Sequence, residues 1–111
     1  MPDQTVRVTF DPRATPKFTF NCETVRMTSA GKVILQRRPR SAKWSFVRAN
    51  VKRDRLKQFS ITVPGTGRSL HIHDKCKDRR TTSYSYNVTV KLGRRTYPSP
   101  DPVIVNDPGG A

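Results

Sequence analysis

Two histidines have the clearest metal-ligand spacing in the chain. His71 and His73 alternate with Leu70 and Ile72, so a strand here sets both imidazoles side by side on one face, with Asp74 and Cys76 just beyond. A structural zinc ion takes four ligands, and Lys75 and Lys77 bring positive charge that opposes a dication. The favoured reading is a pair of surface histidines, with no metal and no other cofactor. Cys22 and Cys76, the only cysteines, read as thiols filling small apolar spaces. The eight acids are scattered and no glycine-rich phosphate loop occurs. Nor does any Ser/His/Asp or Cys/His set have support beyond residue identity, so no catalytic residue is assigned and a non-enzymatic protein is expected.

Positive charge is the stronger chemical signal. The chain holds 22 Lys and Arg against 8 Asp and Glu, a formal net charge of +14. Ten of these cations, Lys32, Arg37, Arg38, Arg40, Lys43, Arg48, Lys52, Arg53, Arg55 and Lys57, fall within 26 residues that hold one acid, Asp54. Lys75, Lys77, Arg79, Arg80, Lys91, Arg94 and Arg95 form a second group, expected on loops joining the late strands. Arginine outnumbers lysine, 14 to 8, and its planar fork suits bidentate contacts to phosphate. Arg37, Arg38, Arg40, Lys43, Arg48, Lys52, Arg53, Arg55 and Lys57 are therefore the candidate polyanion-binding residues, through salt-dependent contacts that do not read base sequence. Base stacking is less favoured, because most aromatics fall on the apolar sides of strands; Trp44 and Tyr97 are the two exceptions, each still wanted by a small core.

Strands must position these groups. Thr5 to Phe10 puts Val6, Val8 and Phe10 on one face, and Lys17 to Cys22 groups Phe18, Phe20 and Cys22. A turn at Thr28-Ser29-Ala30-Gly31 precedes the apolar run Val33-Ile34-Leu35, and Trp44, Phe46 and Val47 make a further short strand. Phe59, Ile61 and Val63 lead through Pro64-Gly65-Thr66-Gly67 to Leu70 and Ile72, a hairpin. The clearest strand runs from Ser83 to Leu92, with Tyr84, Tyr86, Val88, Val90 and Leu92 sharing a face. Pro98, Pro100 and Pro102 interrupt the returning chain, which predicts that the last strand, Val103-Ile104-Val105, lies at a sheet edge. Arg48 to Gln58 reads as a loop or short helix.

Seven or eight short strands with Gly/Pro turns and no amphipathic helix predict an all-β fold: one antiparallel β-sandwich of immunoglobulin or fibronectin-III type, covering residues 1–106. Residues 107–111 are expected to form a flexible tail. A length of 111 residues allows one core and excludes a multidomain enzyme. No apolar stretch approaches the ~20 residues that span a bilayer, and Met1 to Phe10 has no signal-peptide pattern, so a cytoplasmic setting without membrane contact is expected. Asn87-Val88-Thr89 matches a glycosylation sequon, which in that setting is a chance match.

Four features resemble the DP-EP family of small bacterial proteins: Trp44-x-Phe46-Val47; Phe59-x-Ile61-x-Val63 with Leu70-x-Ile72-x-Asp74; the Tyr84/Tyr86 strand; and Ser99-Pro100-Asp101-Pro102-x-Ile104-x-Asn106. They span residues 43–108, and the last is the most specific, although Asp107-Pro108 stands where a Glu-Pro pair is expected. The resemblance implies an all-β fold and brings no established activity with it. Pro100 and Pro102 hold the chain extended as it enters its strand, and Asp101 is placed to cap the turn. The expected role is an interaction or accessory module working through strand edges or loops, its partner a protein or, alternatively, nucleic acid. Pairing of open edges would also make a homodimer.

Overall fold

The alternation becomes ten strands over residues 3–108, the part of the chain that the computed structural model describes. One sheet holds β1 (Gln4–Phe10), β2 (Phe18–Phe20), β4 (Gly31–Arg38), β6 (Phe59–Thr62) and β7 (Ser69–Asp74), in the order β2-β1-β4-β7-β6. The other holds β3 (Thr24–Met27), β5 (Ser45–Val51), β8 (Thr82–Leu92) and β10 (Val103–Asn106), in the order β3-β10-β8-β5, with β9 (Arg95–Pro98) also paired to β8. Apolar faces of both sheets meet in one core. Val6, Val8, Leu35, Leu70 and Ile72 come from the first sheet and Met27, Phe46, Tyr86, Val88, Val90 and Ile104 from the second. Each stands at the period-2 positions of its strand, which is why alternation in the sequence predicts the buried face.

Three expectations are corrected. Both sheets are mixed, because β1 runs parallel to β4 and β3 parallel to β10. The cause lies after Phe20, where the chain leaves β1's hairpin, crosses to the second sheet as β3, and returns as β4 beside β1. Secondly, β10 is not an edge strand but lies between β3 and β8. Its prolines precede it, and Ser99 supplies the polar groups they lack. The Ser99 N–H donates to Val88 O at 2.8 Å, and Val88 N–H donates to Ser99 Oγ at 2.9 Å. Thirdly, Arg48 begins no helix; residues 48–51 complete β5, and only residues 52–58 form a loop.

Two contacts close the domain. Gly67, at φ +81°, accepts the Phe46 N–H at 2.9 Å and so ties the β6–β7 hairpin to β5 in the other sheet. At the C-terminus the Asp107 N–H donates to Met27 O at 2.8 Å, and its carboxylate accepts from Arg26 and Thr81. Ordered contacts thus reach one residue beyond residue 106, while residues 109–111 of the expected tail lie outside the described residues. Among the described residues no helix is long and apolar enough to cross a membrane.

Candidate anion-binding sites

The strand registers sort the cations to two ends of the domain. β4 enters its sheet at Gly31 opposite Asp74 and leaves near Ser69, while β5 runs antiparallel to β8 from Lys91 toward Tyr86. Residues 37–43, Arg68, and the β8–β9 turn with Arg94 and Arg95 therefore gather at one end. Arg13 and Lys17 join them on the β1–β2 turn, because Thr9 pairs with Arg38. The loops 52–57 and 75–80 gather at the other end, about 20 Å away along β5. The cluster between Lys32 and Lys57, contiguous in sequence, is divided in space.

At the first end, Gln36, Arg37, Arg38, Arg40, Arg68 and Ser69 line a cavity of about 240 Å³. The Arg37 guanidinium is committed, donating to the carbonyl oxygens of Trp44 at 2.7 Å and Arg40 at 2.5 Å. It braces the turn that presents the other arginines. Arg68 is not a candidate on sequence grounds; the turn at residues 64–67 is the signal, since it returns the chain beside β4, where the Arg37 N–H donates to Arg68 O at 2.9 Å. Lys43 is exposed nearby, whereas Arg48 lies exposed on the outer face of β5. Asp11, the acid nearest this end, accepts its neighbour Arg13's N–H at 2.9 Å.

The opposite end differs. A cavity of about 670 Å³ is lined by Lys52, Arg53, Arg55 and Leu56 on the loop, by Asp78, and by residues 82–85 of β8. Below it lies a polar knot. Gln58 Nε2 donates to Asp78 and to the Tyr84 hydroxyl, both at 2.9 Å, and the Tyr84 hydroxyl donates to Asp78 at 2.7 Å. Asn106 Nδ2 donates to Asp74 and Asp78 at 3.1 Å and to Gln58 Oε1 at 3.2 Å. Gln58, Asp74 and Asn106 are buried. Burial pushes the Asp74 carboxyl above its ordinary value. Burial also pulls Asp78 upward, but hydrogen bonds from Tyr84, Asn106 and Gln58 outweigh it and leave that carboxyl lowered. Tyr84 is raised by burial and by Asp78 beside it, and Cys76 by burial and the neighbouring aspartates.

The candidate metal residues stay apart from both cavities. His71 and His73 share the outer face of β7, ring centres 6.3 Å apart, and His73 Nε2 meets Thr62 Oγ1 at 3.2 Å. Burial, Lys32 and His73 lower the His71 pKa. Among the described residues no group of three or more His, Cys, Asp or Glu side chains is arranged to hold a metal. Cys22 and Cys76 are free thiols. Trp44 is buried against Phe10 and Phe46, which removes it from open surface, whereas Tyr97 packs on Phe10 but stays half-buried, with Lys17 Nζ 5.9 Å from its ring centre.

The acids explain why so much positive charge is left over. Asp3, Asp11, Asp54, Asp74 and Asp78 accept hydrogen bonds from backbone amides or from buried side chains. Among the described residues the ion pairs are Arg26–Asp107 and Lys52–Asp101. Asp101 belongs to the Ser99-Pro100-Asp101-Pro102 segment, which leads directly into β10. A family model for the DP-EP family matches residues 2–108. The chain belongs to the DP-EP family. The match takes in the N-terminal strands as well as the C-terminal segment that carries the resemblance in sequence, so the DP-EP unit is the whole two-sheet domain. No curated protein matches the chain.

Proposed function

We propose that this DP-EP protein is a non-enzymatic binding module for polyanions, with nucleic acid as the partner class its charge fits. The frame is read as an immunoglobulin-like sandwich, since two sheets enclose one core without closing into a barrel. One observation carries the proposal: Asp3, Asp11, Asp54, Asp74 and Asp78 accept from backbone amides or lie in the buried knot, while Arg38, Arg40 and Arg68 line an open cavity with no carboxylate among its lining residues. Guanidinium groups in such a cavity bind phosphate oxygens and release counterions from the partner. The non-enzymatic reading is supported by Asp74 and Asp78, whose carboxyls are taken up as acceptors by Asn106, Gln58, Tyr84 and the Cys76 N–H.

Fluorescence anisotropy with a labelled duplex and a labelled single strand tests the proposal. Binding is expected at about 50 mM salt and is expected to weaken linearly in log–log form as salt rises. No binding at that salt, or an Arg38→Glu/Arg40→Glu variant that binds as well as the original, overturns it.

A further inference from the structure

We propose that the open edge of β8 at residues 82–85 takes up a short, acidic, extended segment of a partner protein by strand addition. β5 pairs with β8 only from Tyr86 onward, and the last backbone bond between them runs from Lys52 N–H to Ser85 O at 2.9 Å. On its other side the same stretch is covered, Thr82 opposite Asn106 and Ser85 opposite Val103. Residues 82–84 of a central strand thus have one neighbour instead of two, and Ser85 keeps only the bond from Lys52 on its open side. Arg53 is the reason. At φ +59° it adopts a backbone conformation that side-chain-bearing residues rarely take, and it turns the chain off β8 where β5 would otherwise continue. Lys57, at +50°, brings the same loop back toward the first sheet.

The gap is equipped to receive a strand. Tyr86 N–H donates toward β10, to Pro102 O at 2.9 Å, so by alternation the N–H and C=O of Ser83 and Ser85 point the other way. The Ser85 carbonyl already holds Lys52, which leaves the exposed Ser83 facing the 670 Å³ cavity with one donor and one acceptor. An extended segment supplies the matching pair. Leu56, 45% exposed, offers an apolar contact at the rim. Lys52, Arg53 and Arg55 set the charge preference, and the exposed Lys52–Asp101 pair is an exchange point where a partner carboxylate takes the place of Asp101.

These features select among occupants. A second copy of this chain brings the same three cations to the edge and is repelled. Nucleic acid has no ladder to complete and finds no exposed aromatic there, since Tyr84 is buried. An acidic peptide satisfies both the backbone and the charge.

The test uses the full chain, labelled for amide NMR, and a synthetic heptapeptide of alternating Glu and Val. Amide signals of residues 82–85 are expected to shift and exchange at Ser83 to slow. N-methylation of alternate peptide amides is expected to weaken binding by about tenfold or more, because it removes ladder donors while keeping the charge. Ser83→Pro deletes the outward N–H without touching a bond to β10 and should weaken the unmethylated peptide similarly. Equal binding of methylated and unmethylated peptides overturns the proposal, whatever the variant's fold. So do absence of peptide binding, displacement of the peptide by an equal concentration of oligothymidylate, or self-association through β8. A signal confined to residues 82–85 separates this edge from the arginine end, where the polyanion proposal is tested.

Discussion

The proposed polyanion binding predicts a definite number of phosphate contacts at the arginine end, which the slope of affinity against salt reads out. Arg37 is committed to two carbonyls, so the proposed phosphate contacts of the cavity fall to Arg38, Arg40 and Arg68. Three phosphate contacts on a duplex predict a log–log slope of about −2.7, at roughly 0.9 per neutralised phosphate. Raising salt fourfold, from about 50 to 200 mM, then lowers affinity about 40-fold. The exposed pair Arg40 and Arg68 can be truncated without opening the core, so Arg40→Ala/Arg68→Ala should fold normally. Its slope should fall to about −0.9, and the same salt step should then cost only about three- to fourfold in affinity. Each further contact from Lys43, Arg94 or Arg95 steepens both slopes equally, so their difference, about 1.8, is the robust quantity. Anisotropy titrations at five or six salt concentrations measure it. Arg79→Ala/Arg80→Ala, at the opposite end, is the control and should leave the slope unchanged. A parent slope shallower than about −1, or an equal flattening by the control pair, refutes the assignment of phosphate contacts to this cavity.

The fold itself leads to four more expected outcomes. Gly67→Ala places a Cβ 2.8 Å from Phe46 O at φ +81°, so denaturant unfolding should show a loss of about 2–4 kcal/mol from backbone strain and forced displacement. Asp74 is buried with one carboxylate oxygen lacking a protein partner and a raised pKa, so the folded state holds its proton more tightly than the unfolded state. Its contribution to stability therefore falls as pH rises through the window from the unfolded pKa to the raised folded one. Asp74→Asn should raise the urea midpoint at pH 7, with the advantage shrinking as pH falls toward about 4. Asp78, lowered, works in the opposite sense: its contribution is present above the unfolded pKa and is lost as pH falls through the folded one, and it should show as acid destabilisation in the Asp74→Asn background. Tyr86→Phe removes a buried hydroxyl with no partner in the protein and should stabilise by about 1 kcal/mol in the same assay.

Much of the fold is legible in the alternation. Val6, Val8 and Phe10, or Tyr84, Tyr86, Val88 and Val90, are buried because a strand's side chains change face at every residue, a property of local geometry alone. Local geometry does not tell which strand lies beside which. β3 is not assigned from the sequence, where the second strand ends at Cys22 and the next feature is the turn at Thr28; its four residues carry only Val25 and Met27 as alternating apolar positions, and the parallel neighbours β1–β4 and β3–β10 result from its crossing between sheets. The prolines at 98, 100 and 102 correctly mark missing donors, yet Ser99 between them ties the chain to β8, its N–H donating to Val88 O and its hydroxyl accepting the Val88 N–H, and β10 is interior. In the candidate sites, the arginines at 37, 38 and 40 are visible by type. Arg68 is not, because its approach depends on the hairpin returning along β4.

By itself, then, the sequence determined the all-β class, the buried faces, the excess of positive charge and membership of the DP-EP family. Each is written in residue type and near-neighbour spacing. Only the tertiary structure decided where the charge sits. Strands run the length of the domain and reverse at its ends, so residues 37–43 and 52–57, adjacent in sequence, are carried to opposite ends by β5. The same reversal brings Arg68 to Arg37 and sets Asp78 and Tyr84 below Lys52 and Arg55. One end is left with arginines around an open cavity, and the other with a strand edge that β5 abandons at Arg53.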